Sequence, residues 1–381
     1  MVLLTLLEDL QKGVRTFSNS LSSRFQEVLF QSIQEKEYST KPLKPIIMIW
    51  NKNEEGKITS TYSAKVTSTI IYHSYTNGTP STVECSILND HSILLNIGDF
   101  LTLTTSEVQY FKGMITRIQM TRDADGTEEY SIVAQDQLLY FKNSKDSLSY
   151  QNITLNELLS RILDRLQLSK EYHLQYSSRC EELLPATNEI NKTYAQMMKN
   201  AMETYLLLHQ QQNQFYLLLD RFGKIILKSN LELRTNYRIR AVQSYTYTRE
   251  INDQTITKVK FEFKNPQTWN NTTFREVEYV NNATLPKWGI FQYYEPQSSY
   301  SIPMTQNIAT LKFLRYGKER QHYQFHQIIP NEKSFLFAGC SFQLRYETPT
   351  KGWEESWYFI TECIHRWERK QHTMDLMVRN R

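Results

Sequence analysis

The chain has 381 residues, of which 40% are apolar and 22% charged, and its net charge is +4. This composition is typical of a globular protein with two or three domains and excludes a disordered chain. The small net charge, without a dense lysine and arginine cluster, does not favour nucleic-acid binding. The 11 glycines are few for phosphate-binding loops, and the 13% of aromatic residues favours β structure.

Residues 1–36 are predicted to form one helix. Apolar residues recur at alternating three- and four-residue steps from Leu3 to Val28, a seam of about four heptads. Two interpretations stay open: the helix packs on its own domain, or it is an arm that packs on a neighbouring subunit or a partner. The prolines of KPLKP end the helix. Residues 1–44 are therefore predicted to be an N-terminal helical arm with its linker.

Residues 45–145 change to the two-residue alternation of strands. The alternating runs are separated by the turn sequences NKNEEG, TNGTP, NIGD and DADG. Several short strands at this spacing predict a barrel or a sandwich. We interpret this segment as a first β-barrel. No apolar run is long enough to span a membrane.

Residues 146–238 are predicted to form a small α+β insert. Thr154 precedes the amphipathic run LNELLSRILDRLQL, and Glu157 stands three positions later, which predicts a capping box. A second helix and a hairpin are predicted behind it. Strands resume in residues 239–381, which we interpret as a second β-barrel domain with a loop and helix insertion. The predicted fold class is therefore α+β, mainly β.

Residues 98–134 and 339–378 share one pattern of a glycine, three alternating strands and two polar turns. The glycines that open them are 241 residues apart, and Ile115 and Ile360 are 245 apart. Either two hairpins merely look alike, or the chain duplicates one module. Duplication would let three chains supply six barrels and so convert a threefold assembly into a pseudo-sixfold one.

Four groups of polar residues are candidates for metal or catalytic sites. The sequence DADG at 123–126 opens like a calcium loop, but the strands around it predict a hairpin turn. Two histidine sets lack the usual zinc spacing. Adjacent carboxylates on a strand point to opposite faces, so they cannot flank one glycosidic bond. Glu354 and Glu355 are predicted to lie in a solvated loop. The histidine and carboxylate candidates are Cys363 with His365 and His372, His322 with His326, and Glu354 with Glu355.

No catalytic, cofactor-binding or metal-binding residue is assigned from these patterns, and no cofactor is expected. The chain has neither a GxSxG elbow nor a glycine-rich phosphate loop. Cys85, Cys180, Cys340 and Cys363 lie far apart without a CxxC motif, and they are predicted to be free thiols in a reducing compartment.

A family pattern is carried by GDFLTL, YFKGMITRI, EEYSIVAQDQLLYFKNS and the helix entry NITLNELLSRILDRLQL. In this order they resemble the baseplate hub, or tail tube initiator, proteins of contractile phage tails and tailocins, and most closely the PBSX-like hubs. KWGIFQ and HRWERKQHTMDLMV resemble the family's C-terminal half more loosely, so the resemblance spans residues 45–381. The helical arm departs from the family pattern.

The resemblance implies a homotrimer with two tube-protein-like β-barrels in each chain, so that six barrels form a ring between a threefold spike and a sixfold tail tube. It implies contacts with the central spike protein, the tail tube protein and other baseplate proteins. The particle would be a virion or a tailocin that is assembled in the host cytoplasm. The chain itself would have no enzymatic activity, no direct nucleic-acid recognition and no membrane span. Two alternatives are a baseplate-associated cell-wall hydrolase and a carbohydrate-binding module, the latter using Trp353, Trp357, Trp367 and the tyrosine-rich segment 290–300.

Overall fold

A computed structural model describes residues 44–380 apart from gaps at 54, 77, 91–93, 169–173, 176–180, 209–213, 239–243, 265–273, 297–301, 331–334, 349–351 and 369–370. The chain divides into two units, residues 1–43 and residues 44–381. The predicted helical arm lies outside the described residues. All elements described below belong to the second unit.

The described residues form 21 strands and five helices. The strands are β1 Ile46–Lys52, β2 Ile58–Ser63, β3 Ile70–Tyr75, β4 Thr82–Leu88, β5 Phe100–Thr104, β6 Gln109–Arg122, β7 Glu128–Gln135, β8 Lys145–Tyr150, β9 Leu174–Gln175, β10 Thr187–Thr193, β11 Tyr216–Arg221, β12 Lys224–Ser229, β13 Arg234–Arg238, β14 Ser244–Glu250, β15 Lys258–Lys264, β16 Phe274–Val280, β17 Gln292–Glu295, β18 Arg320–Ile328, β19 Ser341–Thr348, β20 Gly352–Glu368 and β21 Gln371–Asn380. The helices are α1 Leu138–Asn143, α2 Leu155–Arg165, α3 Tyr194–Leu208, α4 Leu285–Trp288 and α5 Ile302–Tyr316.

A 13-stranded sheet contains most strands, in the order β14-β18-β21-β20-β3-β4-β7-β6-β5-β1-β2, with β19 beside β20 and β13 beside β19. The order β3-β4-β7-β6-β5 recurs as β14-β18-β21-β20-β19. We call these the first and the second repeat. The mainly β fold predicted from the sequence is present, and the recurring strand order favours duplication over the alternative of two look-alike hairpins.

The glycines that open the repeats adopt the same backbone conformation. Gly98 has φ +100° and donates to the Ile115 carbonyl at 3.0 Å, while Gly339 has φ +105° and donates to the Ile360 carbonyl at 2.8 Å. Only glycine reaches such φ values without strain. The 245-residue offset of the two isoleucines is therefore a structural equivalence.

A β-bulge follows each of these isoleucines, and a threonine occupies it. In the first repeat the Thr116 hydroxyl donates to the Val133 carbonyl at 3.3 Å, and in the second the Thr361 hydroxyl donates to the Met377 carbonyl at 3.1 Å. The shared bulge shows that the repeats match residue by residue through β6 and β20.

The insert between the repeats has its own apolar core, formed by α1, α2 and α3 against β8, β11 and β12. The predicted capping box is present, since the Thr154 hydroxyl accepts from the Glu157 amide at 3.1 Å and the Glu157 carboxylate accepts from the Thr154 amide at 2.7 Å. The smaller sheets here are β8-β10 and β11-β12-β9. The predicted hairpin is β11 and β12.

Residues 258–316 contain a third small sheet, β16-β15-β17, packed with α5. The loop and helix insertion predicted within residues 239–381 contains more regular structure than expected, because α4 forms and β17 pairs in parallel with the distant β15. The predicted domain boundaries at residues 45, 145 and 238 stay a prediction.

Further outcomes concern the carboxylate candidates, the cysteines and the helices. The predicted loop at Glu354 and Glu355 was wrong, because both residues lie within the 17-residue β20 and pair with β19. Cys85, Cys340 and Cys363 are free, as predicted, and they are buried, whereas Cys180 lies outside the described residues. None of the described helices is long and apolar enough to cross a membrane.

Candidate functional site: the repeat junction and the open strand edges

The two repeats meet where β3 pairs with β20. The N-terminal half of β20 pairs with β19, and its C-terminal half extends beyond β19 and pairs antiparallel with β3, from Glu362 opposite Tyr75 to Trp367 opposite Ile70. Next to this ladder, the amide and the hydroxyl of Thr76 both donate to one carbonyl of β20 at 3.2 Å. The sheet of one repeat therefore continues into the other without a free edge.

An aromatic cluster fills the junction. Tyr110 of the first repeat contacts Phe335 and Trp367 edge-on, with ring centroids 4.6 and 4.9 Å apart. Tyr72 stacks on His365 at 5.8 Å. Trp367 belongs to β20, yet its side chain is buried in the core of the first repeat. These contacts join the two repeats by packing as well as by backbone pairing.

The zinc candidates Cys363, His365 and His372 form a hydrogen-bonded network at this junction. His365 Nε2 lies 2.8 Å from the Leu336 carbonyl, and its Nδ1 lies 3.0 Å from His372 Nε2. Burial, and to a lesser extent His372, holds the pKa of His365 well below its ordinary value. A neutral His365 that donates from Nε2 and accepts at Nδ1 satisfies both contacts.

The neighbouring thiol, that of Cys363, is unsuited to nucleophilic attack and to metal binding. Burial raises the pKa of Cys363 well above its ordinary value, and the sulfur lies 3.7 Å from the Leu336 carbonyl. A protonated thiol is neither a nucleophile nor a metal ligand. Across the part of the chain that the structure describes, no group of three or more histidine, cysteine or acidic side chains is arranged to hold a metal ion.

A second buried polar group joins the first repeat to the insert. Asp136 accepts from the Ser81 amide at 2.8 Å, and Asp220 accepts from the amides of Gln137 and Gly223 at 3.1 and 2.7 Å. Burial raises the pKa of Asp220 to about 7. Burial and the adjacent Asp220 raise the pKa of Asp136 well above its ordinary value. The segment Asp136-Gln137-Leu138 thus fixes the hairpin of β11 and β12 to the end of β7.

This carboxyl pair predicts a stabilising contribution that is present in mild acid and lost as the pH rises. In the unfolded chain Asp220 loses its proton near 3.8, whereas the folded protein retains it to about 7. The folded state therefore binds the extra proton between these values, and the contribution of Asp220 to the free energy of unfolding should fall by about 2–3 kcal/mol from about pH 5 to about pH 8, while the buried neutral His365 contributes in the opposite sense. Urea denaturation of the unmodified protein and of Asp220→Asn across this range isolates the contribution of Asp220. Asp220→Asn should be less stable and flatter in its pH dependence, and an unchanged slope would contradict the assignment.

The other candidates from the sequence lie outside any converging group. The DADG turn joins β6 to β7, and Gly126 has φ +87°, as a hairpin turn requires. His322 and His326 lie in β18, opposite Thr248 and Ser244 of β14. Trp367 is buried and so cannot be a sugar platform, whereas Trp357 is half-buried beneath the Arg234 guanidinium.

The open strand edges of the described residues include two that belong to the repeats. β14 pairs with β18 alone, and the C-terminal half of β6 pairs with β7 alone. Large apolar or aromatic side chains are exposed there, namely Tyr245 at 63%, Tyr247 at 41% and Met120 at 56%. Open edges with exposed apolar side chains are sites of strand addition. This surface was not predicted from the sequence, although the alternation SYTYTRE marks one of its strands.

The comparisons with known proteins agree with this architecture. The family model described as YQBQ-like matches residues 70–379. No curated protein is significantly similar to the chain in sequence.

Solved structures with the same fold include tail proteins. The 43 kDa tail protein of prophage MuSo2 from Shewanella oneidensis has a TM-score of 0.60 and 11% identity, covering 87% of this chain and 98% of that one. The tail protein from Neisseria meningitidis MC58 has a TM-score of 0.60 and 10% identity, with 88% and 96% covered. The c3393 protein of E. coli, a type VI secretion component similar to the T4 tail proteins gp27 and gp5, has a TM-score of 0.53 and 11% identity, with 84% of this chain and 74% of that one covered.

Proposed function

Because this chain belongs to the YQBQ-like family and has the fold of phage tail proteins, we propose that it is the structural baseplate hub of a contractile injection system, either a phage tail or a tailocin. The observation that carries the proposal is the duplicated repeat, whose two copies join edge to edge through β3 and β20. A chain built in this way presents two equivalent modules to its neighbours.

The proposed mechanism is geometric. Three copies of the chain place six repeats around one axis, so that a threefold component meets one side of the ring and a sixfold component meets the other. The threefold component is the central spike protein, and the sixfold component is the tail tube, whose first ring the hub initiates. Other baseplate proteins bind around the hub in the virion or tailocin particle, which is assembled in the host cytoplasm.

The junction chemistry supports a structural role over the two alternatives. The carboxyl pair and the histidine network are buried and use their polar atoms to hold elements together. A cell-wall hydrolase would instead need an accessible acid and base around a substrate cleft. Purified protein is therefore expected to release no peptidoglycan fragments. It is also expected to bind no glycan, so that Trp357→Ala should make no difference in a glycan-binding assay.

Sedimentation and imaging test the proposal. We expect the purified chain to sediment as a trimer, because large apolar interfaces between subunits are typical of obligate assemblies. In images of the assembled particle, three copies should lie on the tail axis between spike and tube. A stable, compact monomer, or a position away from the axis, would contradict the hub assignment.

A further inference from the structure

The junction inside the chain shows how an edge strand of one repeat pairs with the other repeat. It joins the edge strand β3 of the first repeat to the C-terminal half of β20 in the second. If the repeats are equivalent around a ring, the strand that corresponds to β3 in the second repeat of one copy must pair with the segment that corresponds to the C-terminal half of β20, which lies in the first repeat of the next copy. Both counterparts can be identified residue by residue.

The counterpart of the β20 segment is in β6. The equivalence of Ile115 with Ile360 and of Thr116 with Thr361 places Glu362–Trp367 on Arg117–Arg122. In β20 this segment has β21 on one side and β3 on the other. In β6 the same segment has β7 on one side, and the described residues leave its other side open.

The counterpart of β3 is β14. Tyr72 pairs with Val83, which pairs with Ala134 of the first repeat. Tyr247 pairs with Tyr323. Tyr323 in turn pairs with Val378, the equivalent of Ala134 in the second repeat. Tyr247 therefore occupies the position of Tyr72, and β14 presents the edge that β3 uses at the junction.

We propose that β14 of one copy pairs antiparallel with Arg117–Arg122 of the next copy, in the register of the internal junction. This proposal rests on the ring of the proposed function and specifies its subunit interface. Transferring the register of the β3–β20 ladder gives four pairs that the argument uses, Arg117 opposite Glu250, Gln119 opposite Thr248, Met120 opposite Tyr247, and Arg122 opposite Tyr245.

The transferred register brings complementary side chains together, although nothing in its construction selected them. Arg117 and Glu250 are both exposed and carry opposite charges. Met120 and Tyr247 are exposed apolar side chains that would cover each other, as His365 and Tyr72 do at the internal junction. Directly opposed pairs of these kinds stabilise antiparallel strands.

The remaining contacts follow the same template. Arg122, which lies 3.7 Å from Glu128, is placed against Tyr245, a ring exposed at 63% that can accept a guanidinium on its face. The bond from the Thr76 amide to the Thr361 carbonyl has its counterpart between the Ile251 amide and the Thr116 carbonyl. Since each chain offers one edge of each kind, copies associate head to tail and close into a ring.

Engineered disulfides test the register. Gln119 and Thr248 are opposed on the polar face, so Gln119→Cys with Thr248→Cys should give a covalent trimer on oxidation, seen on a non-reducing gel. Cys180→Ser is included in every variant, and Cys85, Cys340 and Cys363 are buried. The control, Gln119→Cys with Tyr247→Cys, shifts the partner by one residue to the opposite face and should give at least about tenfold less cross-linked trimer.

The outcomes separate this proposal from the function on which it rests. A trimer in sedimentation that cross-links at the first pair and not at the control supports both. A trimer that does not cross-link at the first pair, or that cross-links equally at the control, overturns the strand register and leaves the ring in place. A monomer of the unmodified chain overturns the ring itself, and a disulfide formed within one chain overturns the interface.

Discussion

Replacing Gly113 by alanine is expected to lower the free energy of unfolding by about 3 kcal/mol or more. Gly113 stands in β6, within the YFKGMITRI segment, where the strand approaches β7 closely. A Cβ atom added there would lie 2.3 Å from the Gln135 carbonyl oxygen and 2.4 Å from the Phe111 ring. Backbone cannot move aside as a flexible side chain can, so the sheet must shift.

The matched control is Gly126→Ala in the turn between β6 and β7. Gly126 has φ +87°, but a Cβ atom there meets nothing within 4 Å. Its cost is conformational alone, about 1–2 kcal/mol. Urea denaturation of both variants measures the difference. Equal losses would mean that β7 yields to the new methyl group and that the close approach is not required.

Replacing Trp367 by alanine is expected to cost about 3–5 kcal/mol, because it empties a large volume at the junction of the repeats. The indole is exposed by only 4% and packs against Tyr110 at 4.9 Å and His372 at 4.2 Å. It extends from β20 into the core of the first repeat, so its loss weakens the contact between two segments far apart in the chain.

Trp367→Phe is the conservative control. The indole Nε1 has no hydrogen-bond partner among the described residues, so phenylalanine removes volume without breaking a bond. We expect it to lose about 1–2 kcal/mol and to keep the cooperative unfolding transition. Thermal or urea unfolding followed by circular dichroism gives both values. A small loss for the alanine variant would show that the repeats are held together by backbone pairing alone.

Local patterns in the sequence predicted the local features of the fold. The Thr154 and Glu157 capping box depends on contacts three residues apart, and it is present in the structure. The alternation of β6 and β20, with a glycine ahead of each repeat, was sufficient to align the repeats at Ile115 and Ile360. The family resemblance was carried by the same segments, and the family match includes them.

Features that depend on distant pairing could not be predicted in this way. The pairing of β17 with β15 and the passage of β20 from β19 to β3 have no local sequence pattern. The carboxyl pair needs Asp136 and Asp220 brought together from segments more than 80 residues apart, as the 83-residue separation of the Gln137–Asp220 bond shows. For the same reason, the edge of β14 that the described residues leave open could be recognised only in the sheet.

The pairing of β3 with β20 has a consequence for biosynthesis. The Ser74 hydroxyl of β3 donates to a carbonyl of β20 that lies 289 residues later in the chain. At ribosomal rates of about 5–20 residues per second, β3 waits roughly 15–60 s before its neighbour emerges. The first repeat is therefore exposed to aggregation until β20 has been synthesised, and its sheet is completed only then.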